Sequence, residues 1–400
     1  MKVLKFGGTS VGSAQRIKDV AKLITGDRKI VVLSAMSGTT NSLVEISDYL
    51  YKKNPDGANE IINKLSIKYM EHVEELYSTE EYKQKAKELI KYHFDYIRTF
   101  TKDLFTLFEE KVVLAQGELI STGMMNLYLN ECGVKSVLIP ALDYMRTDKN
   151  AEPDPVYIKE HLLKLLDEHN EAELFITQGY ICRNAYGEID NLQRGGSDYS
   201  ASLVGAAINA EEIQIWTDID GMHNNDPRFV KGTSPVRNLN FEEAAELAYF
   251  GAKILHPTCI LPAKLNNIPV RLLNTMQPEA PGTLISNTLE KGRIKAVAAK
   301  DNITSIKIKS GRMLLATGFL RKVFEIFENY QTPIDMITTS EVGVSVTIDN
   351  RKHLDEIVDD LKKYGTVTID EDMVIVCVVG DLEWDNIGFE ASIVQAMKDV

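Results

Sequence analysis

The sequence feature that most constrains the fold is a repeated unit of a short apolar strand, a turn and a helix. Near the N-terminus, residues 3–6 resemble a buried strand, residues 14–24 have the apolar spacing of a helix, and residues 30–33 form a second apolar strand. Comparable apolar runs recur at 137–139, 174–177 and 213–216. Strands joined by helices at this spacing predict right-handed crossovers and a largely parallel sheet, that is, an α/β fold.

Two further regions differ from this pattern. Residues 52–111 are polar, with an apolar stripe at Leu89, His93, Ile97, Phe100 and Leu104 that predicts a helical excursion from the α/β core. Because His93 lies on this stripe, we expect it to be a packed or interfacial histidine rather than a ligand. Beyond the turns at 278–295, residues 304–309 alternate, 319–327 form an amphipathic helix and 342–348 alternate again, which predicts a small α+β unit of the split βαβ type.

These patterns predict two domains, residues 1–295 and residues 296–400. A second small unit is expected to start with the apolar run at 373–380 and to continue into a helix near 391–397. Because one strand and one helix cannot bury their faces alone, this second unit is expected to be incomplete at residue 400.

Composition excludes several classes of protein. The formal net charge of −13 makes a general nucleic-acid binder unfavourable. The four cysteines have no paired spacing, so they indicate no disulfide framework. No apolar run reaches the length of a membrane helix, and the chain enters a strand directly after Met1. We therefore expect neither a membrane anchor nor a signal peptide. A cytoplasmic protein is therefore expected.

Several polar motifs follow the predicted strands. Lys5 precedes Gly7 and Gly8, two glycines follow Arg194 before a helix, and Thr217 and Asp218 end another strand. Glycine-rich turns before helices suit phosphate or carboxylate binding, although each motif alone is also an ordinary turn or helix cap. Glu118 is expected at the start of a helix, where it is either a ligand or only a first-turn acid, and Lys253 is either a ligand or a solvated charge. Together these motifs favour an anion-binding site.

The motifs together resemble those of the aspartate kinases of the amino acid kinase family, over essentially the whole chain. The matching blocks are Lys-Phe-Gly-Gly-Thr-Ser-Val at 5–11, Arg-Gly-Gly-Ser-Asp-Tyr at 194–199, Trp-Thr-Asp to Asp-Pro-Arg at 216–228, and Phe-Gly-Ala-Lys-x-Leu-His-Pro at 250–257. The resemblance implies a three-layer αβα kinase domain followed by an ACT regulatory region. It also implies phosphoryl transfer from Mg-ATP to the β-carboxylate of L-aspartate, the first step toward lysine, threonine and methionine.

The resemblance assigns roles residue by residue. Lys5 and Asp198 are the implied catalytic residues. The implied aspartate contacts are Ser34, Thr40, Glu118, Arg194, Gly195, Gly196 and Ser197. The implied ATP contacts are Lys5, Gly7, Gly8, Thr217, Asp218, His223, Arg228, Lys253 and Ile254. No protein side chain is assigned to the metal, since Mg²⁺ arrives with ATP. His223 replaces a tyrosine of many relatives, and Gln193 replaces a glycine.

The ACT resemblance implies feedback inhibition by lysine and a homo-oligomer formed through this region. The residues that fall where lysine-inhibited relatives contact lysine are Met313, Phe319, Leu320, Pro333, Ile334, Asp335, Ser340 and Glu341. Asp335 and Glu341 are expected to meet the ammonium groups, and Ala316 replaces a serine. Two alternatives remain at this point: another kinase of the same family, acting on glutamate, acetylglutamate, carbamate or UMP, or a non-catalytic ACT amino-acid sensor.

Overall fold

The computed structural model describes residues 1–102, 104–192, 195–251, 255–290, 293–311, 317–381 and 388–398. Six positions discussed above lie outside the described residues: Gln193, Arg194, Lys253, Ile254, Met313 and Ala316. Two compact units make up the chain, one formed by residues 1–296 with 380–400 and the other by residues 297–379.

The described residues form the following strands and helices. The strands are β1 (Lys2–Phe6), β2 (Lys29–Leu33), β3 (Ser136–Leu138), β4 (Leu174–Gln178), β5 (Ile181–Arg183), β6 (Ile189–Asn191), β7 (Ile213–Thr217), β8 (Asn238–Asn240), β9 (Val270–Asn274), β10 (Thr283–Ser286), β11 (Arg293–Lys309), β12 (Ile337–Thr339), β13 (Gly343–Ile348) and β14 (Thr366–Asp381). The helices are α1 (Ala14–Ile24), α2 (Thr39–Tyr51), α3 (Pro55–Leu76), α4 (Glu80–Thr99), α5 (Leu107–Glu131), α6 (Pro155–Glu168), α7 (Gly196–Ile208), α8 (Phe241–Phe250), α9 (Leu261–Leu265), α10 (Phe319–Asn329), α11 (Leu354–Leu361) and α12 (Phe389–Lys398).

The first unit is built on a large sheet with the strand order β3-β4-β2-β1-β7-β9-β10-β8. Neighbouring strands run parallel except that β10 is antiparallel to β9, so the predicted, largely parallel α/β sheet is confirmed. All five residues of β4 are buried, as expected for a strand covered by helices on both faces. Because β1, β2, β4 and β7 are parallel neighbours, their carboxyl ends meet at one edge, where open α/β sheets bind ligands.

The helical excursion is present as α3, α4 and the first part of α5, and its buried residues belong to the same hydrophobic core as β1 and β2. The predicted apolar stripe is only partly correct, because some of its residues do not lie on the buried face of α4. On α4 the buried residues are Ala86, Ile90, His93, Phe94 and Ile97, whereas Leu104 follows the helix and is 77% exposed. His93 is packed as expected, because its Nδ1 lies 2.7 Å from Gln116 Oε1 inside the core.

The second unit has the predicted β-α-β-β opening, here β11, α10, β12 and β13, followed by α11 and β14. Its sheet has the order β12-β13-β11-β14, and α10 and α11 cover one face over a core that includes Ile306, Val346 and Ile357. β14 differs from the prediction: it begins at Thr366, seven residues before the expected start, and runs as one strand to Asp381. Among the described residues, no helix combines the length and the apolar character that a membrane crossing requires.

Candidate active site

The first polar feature at the carboxyl edge of the sheet is a buried ion pair between β1 and α7. Lys5 Nζ lies 2.6 Å from Asp198 Oδ1, and the two side chains are 10% and 15% exposed. Asp198 belongs to the first turn of α7, where the positive end of the helix dipole favours a carboxylate. A lysine this deeply buried requires a countercharge. The pair therefore holds an ammonium group in a fixed position where β1 ends.

The two glycines after β1 place bare backbone beside this ammonium group. A Cβ on Gly7 would lie 3.6 Å from Lys5 Nζ, so the backbone of Gly7 borders the lysine directly. A Cβ on Gly8 would lie 2.7 Å from the carbonyl oxygen of Ala35, and the Gly8 carbonyl accepts a hydrogen bond from Ser37 N–H at 3.1 Å. Only glycine fits this approach between the two loops. A lysine beside exposed backbone is a suitable environment for phosphate oxygens.

The loop from β2 to α2 carries the two expected hydroxyl contacts. Ser34 N–H donates to the carbonyl of Phe6 at 3.2 Å, which ties this loop to the end of β1. Thr40 lies exposed in the first turn of α2, next to Thr39, whose buried hydroxyl lies 2.8 Å from the hydroxyl of Tyr69. Ser34 therefore lies on the loop that packs against Gly8, and Thr40 lies at the start of the helix that follows this loop.

Glu118 lies in the middle of α5 rather than at the start of a helix, so that prediction is wrong. The reason is Gly117, which reads as a helix boundary in the sequence but serves for close packing. A Cβ on Gly117 would lie 2.8 Å from the Cβ of Ala35, so glycine lets α5 touch the loop after β2. The helix dipole therefore does not explain this acid, and tertiary packing alone brings it to the sheet edge.

The Glu118 carboxyl group is buried with half of its hydrogen-bonding capacity unused. Oε1 accepts a hydrogen bond from Ala35 N–H at 3.1 Å, while Oε2 has no hydrogen-bond partner among the described residues. Burial raises the pKa of Glu118 from 4.5 to about 8, against the smaller opposing effect of the Ala35 hydrogen bond. A buried carboxyl group that faces no cation is costly in its charged form. Such a group is suited to receive a cationic ligand.

The start of α7 is shaped by two glycines with positive φ. Gly195, at φ +67°, caps the helix, and a Cβ there would lie only 1.8 Å from Cys259 Sγ. Gly196, at φ +36°, lies against the ring of Tyr180, and Ser197 is buried at the first turn. This segment therefore forms the N-terminus of α7, and the N-terminal end of a helix favours anions. Arg194, which precedes it, lies outside the described residues.

Tyr180 is a site residue that the sequence reasoning missed. It follows β4 with φ at +69°, a strained conformation for a bulky residue and one that clusters at functional sites. Its backbone N–H donates to Ser200 Oγ at 2.9 Å, and its carbonyl accepts from Leu192 N–H at 2.7 Å. Burial, with the negative charge of Glu118 as the next cause, raises the pKa of the Tyr180 hydroxyl to about 12. Its position after a buried strand was a signal, but its backbone conformation was not predictable.

Four of the expected ATP contacts lie at the end of β7, the strand paired with β1, or on the loop that follows it. Thr217 ends β7, and its carbonyl accepts from Thr275 N–H at 2.8 Å, while Asp218 is exposed. His223 Nδ1 lies 3.0 Å from Thr233 Oγ1, and partial burial lowers the pKa of its ring. Arg228 is exposed and its guanidinium pairs with Asp226. The structure thus brings Thr217 to the edge beside Lys5 and leaves Arg228 on the exposed part of the loop.

In the second unit, the expected lysine contacts occupy different environments. Phe319 is only 7% exposed and belongs to the hydrophobic core, whereas Leu320 is 37% exposed. Pro333, Ile334 and Asp335 connect α10 to β12, and Ser340 and Glu341 form the exposed turn between β12 and β13.

One of these residues already has a cationic partner inside the chain. Asp335 Oδ1 lies 2.7 Å from Lys300 Nζ, which also lies 2.9 Å from Asp349 Oδ2. Of the two acids expected to meet lysine, Glu341 is therefore the exposed one, while Asp335 is paired with an internal lysine.

In the ranges that the structure describes, no group of three or more His, Cys, Asp or Glu side chains is arranged to hold a metal ion. Divalent magnesium is commonly bound through substrate phosphates with one or two carboxylates and water.

Comparisons with known proteins find relatives over most of the chain. The profile of the Amino acid kinase family matches residues 1–274. The chain is 35% identical to Aspartokinase 1, chloroplastic, of Arabidopsis thaliana, over 97% of this chain and 72% of that protein. It is also 35% identical to Lysine-sensitive aspartokinase 3 of Escherichia coli strain K12, over 87% of this chain and 78% of that protein.

Solved structures give the same result for the fold. The crystal structure of E. coli aspartokinase III in complex with aspartate and ADP, called the R-state, matches with a TM-score of 0.86 at 32% identity, over 100% of this chain and 92% of that one. The same enzyme in complex with lysine and aspartate, called the T-state, matches with a TM-score of 0.78 at 33% identity, over 95% and 87% of the two chains.

Proposed function

Because the chain belongs to the amino acid kinase family, and within it to the aspartokinases, we propose that it transfers the γ-phosphoryl group of ATP to the β-carboxylate of L-aspartate. The product is L-4-aspartyl phosphate, the first intermediate toward lysine, threonine and methionine. The observation that carries the proposal is the buried Lys5–Asp198 pair beside the bare backbone of Gly7. Its proposed location is the cytoplasm, in line with the sequence analysis.

The chemistry of this reaction suits a fixed ammonium group. A carboxylate and a triphosphate repel each other, so phosphoryl transfer between them depends on charge neutralisation and alignment rather than on covalent catalysis. Lys5 neutralises the β- and γ-phosphate oxygens, and the backbone of Gly7 and Gly8 lies beside them. Asp198 holds the Lys5 ammonium in position, since its carboxylate is 2.6 Å away. β1 positions the Lys5 side chain and α7 positions that of Asp198.

Aspartate binding is assigned to residues on three neighbouring segments. Glu118 takes the substrate ammonium group, because its buried carboxyl group has one oxygen without a partner among the described residues. Arg194 takes a substrate carboxylate by resemblance, and the start of α7 favours the same charge. The remaining proposed contacts are Ser34, Thr40, Gly195, Gly196 and Ser197.

ATP is assigned to the edge formed by the carboxyl ends of β1 and β7. The proposed contacts beyond Lys5, Gly7 and Gly8 are Thr217, Asp218, His223, Arg228, Lys253 and Ile254. Mg²⁺ is proposed to enter with the triphosphate, whose oxygens supply most of its ligands. When bound, it would neutralise part of the charge on the transferred group.

The second unit is proposed to make the enzyme sensitive to lysine and to join two copies of the chain. An E. coli relative is named lysine-sensitive, and one of its crystal structures contains lysine. Glu341 is exposed and carries the charge that an ammonium group requires. The edge strand β12 is exposed along its whole length, beside Met336 at 44% exposure and Val342 at 49%. Exposed strand edges with apolar neighbours favour pairing with another chain.

The test is ATP-dependent acyl phosphate formation, trapped with hydroxylamine as a hydroxamate. Aspartate, glutamate and acetylglutamate are offered separately, each with and without lysine. Turnover with aspartate alone is the expected result, and suppression by lysine supports the regulatory assignment. Turnover with glutamate or acetylglutamate instead would favour another kinase of the family. Binding of ATP and aspartate without turnover would favour an amino-acid sensor. The Lys5→Ala variant, which lacks the phosphate-binding charge, serves as the negative control.

A further inference from the structure

A second sheltered ion pair joins α5, the helix that carries Glu118, to strand β6. Lys111 Nζ lies 2.7 Å from Asp190 Oδ1, with the two side chains 21% and 12% exposed. Lys111 belongs to the second turn of α5, and Asp190 belongs to β6, so the two residues are far apart in sequence. A pair this sheltered is costly to break, because removal of one charge leaves the other without a partner.

On the α5 side, the pair is aligned with the residue that takes the substrate ammonium group. Lys111 and Glu118 are seven residues apart on one continuous helix. Seven residues make almost two full turns, so both side chains leave the same face, about 10 Å apart along the axis. Glu118 is fixed in turn by the hydrogen bond from Ala35 N–H. The position of α5 therefore sets both the ion pair and the ammonium contact.

On the β6 side, the pair anchors the chain just before Arg194. Asp190 lies opposite Cys182 in the antiparallel β5–β6 hairpin. Its Oδ1, which contacts Lys111, also accepts a hydrogen bond from Asn191 N–H at 2.7 Å. Two residues later, Leu192 N–H donates to the carbonyl of Tyr180. Asp190 precedes Arg194 by only four residues, and Arg194 is the proposed contact for a substrate carboxylate.

We propose that Lys111 and Asp190 form a positioning pair, which holds the hairpin that leads to Arg194 at a fixed distance from Glu118. This inference rests on the proposed function, in which Glu118 and Arg194 hold the same aspartate molecule. The nitrogen of aspartate is at most three bonds from either carboxyl carbon, so the two protein partners of its ammonium and carboxylate groups must keep a narrow spacing. A shift of the hairpin weakens both contacts together. ATP is held by other elements, so its affinity does not depend on the pair.

The experiment measures KM for aspartate, KM for ATP and kcat in four variants. Lys111→Met and Asp190→Asn each remove one charge, and the double variant removes both. Lys111→Arg keeps the charge. The matched control is Arg271→Met, which breaks a comparable pair with Glu212, 2.9 Å apart and 32% and 14% exposed, at the amino ends of β9 and β7, opposite the site. Thermal unfolding of each variant is measured in parallel.

The expected result is a rise in KM for aspartate of about tenfold or more in both single variants, with KM for ATP changed by less than about threefold. The KM for aspartate of the double variant should not exceed that of the single variant with the higher KM, because both substitutions remove the same interaction. Lys111→Arg should retain most of the affinity, and Arg271→Met should leave KM for aspartate as in the wild type.

Unchanged KM for aspartate in the folded variants would overturn the inference. An equal rise in the Arg271→Met control would overturn it too, since it would show that any lost ion pair loosens the site. If a single variant does not fold, the double variant decides, because it leaves no unpaired buried charge. A wild-type enzyme without aspartate turnover would mean failure of the proposed function, which is established before the variants are made.

Discussion

The free energy of unfolding should depend on pH through Glu118, and Glu118→Gln should remove this dependence. Burial raises the pKa of Glu118 from 4.5 to about 8 in the folded protein. A raised carboxyl pKa leaves stability intact below pH 4.5, and the stability is lost as the pH rises through the folded value. At pH 8 the cost of ionising this group in the unliganded fold is roughly 4 kcal/mol, and about 2 kcal/mol of it develops between pH 6 and pH 8.

The assay is urea unfolding of the wild type and of Glu118→Gln at pH 6 and pH 8, without aspartate. The variant keeps an oxygen to accept the Ala35 N–H but buries an amide N–H₂ without an acceptor, which costs about 1–3 kcal/mol at both pH values. The informative quantity is therefore the change in the free energy of unfolding between pH 6 and pH 8, compared between the wild type and the variant. The wild type should lose about 2 kcal/mol relative to the variant as the pH rises from 6 to 8.

Aspartate binding gives an independent measure of the same group. At pH 7 a carboxyl group with a pKa of about 8 is mostly protonated, so its pairing with an ammonium group must release close to one proton. Calorimetry in two buffers of different ionisation enthalpy measures that proton. Equal pH slopes for the wild type and the variant, or aspartate binding without proton release, would refute this account of Glu118.

Three other predictions follow from the site and the second unit. Lys5→Ala should lower kcat by at least about a thousandfold and Asp198→Asn by about a hundredfold, measured by hydroxamate formation, because the phosphate-facing charge is lost in one and only misplaced in the other. Gly195→Ala should lower both activity and the unfolding temperature, because its Cβ would lie 1.8 Å from Cys259 Sγ, and Cys259→Ala in the same chain should recover part of both. Glu341→Gln should raise the lysine concentration for half-inhibition by roughly tenfold, since a charged hydrogen bond is lost; an unchanged inhibition curve would remove Glu341 from the lysine site.

The sheet and the order of elements were predictable because apolar periodicity and glycine-rich turns are local signals. The limits of α1, Ala14–Ile24, agree with the prediction, since its cap Ser13 and its apolar spacing are both visible in the sequence. Glu118 was misplaced for the opposite reason: Gly117 looks like a boundary, and only the packing against Ala35 reveals that α5 continues through it. From the local sequence, a glycine at the end of a helix cannot be distinguished from one that allows close packing inside a helix.

Other features near the site depend on contacts between segments that are distant in sequence. Nothing in the sequence around Lys111 indicates that Asp190 lies 2.7 Å away, because that distance results from the packing of β6 against α5. The left-handed backbone of Tyr180 is likewise imposed by its neighbours rather than by its own preference. For Lys5 and Asp198, the motif resemblance named both residues, and the structure adds the ion pair that joins them.

The most direct test of the central claim is hydroxamate formation by the wild-type chain with ATP and each of aspartate, glutamate and acetylglutamate, beside Lys5→Ala. The account predicts turnover with aspartate alone and almost none in the variant. Turnover with glutamate or acetylglutamate, no turnover with aspartate in the folded protein, or near-normal activity of Lys5→Ala would contradict it.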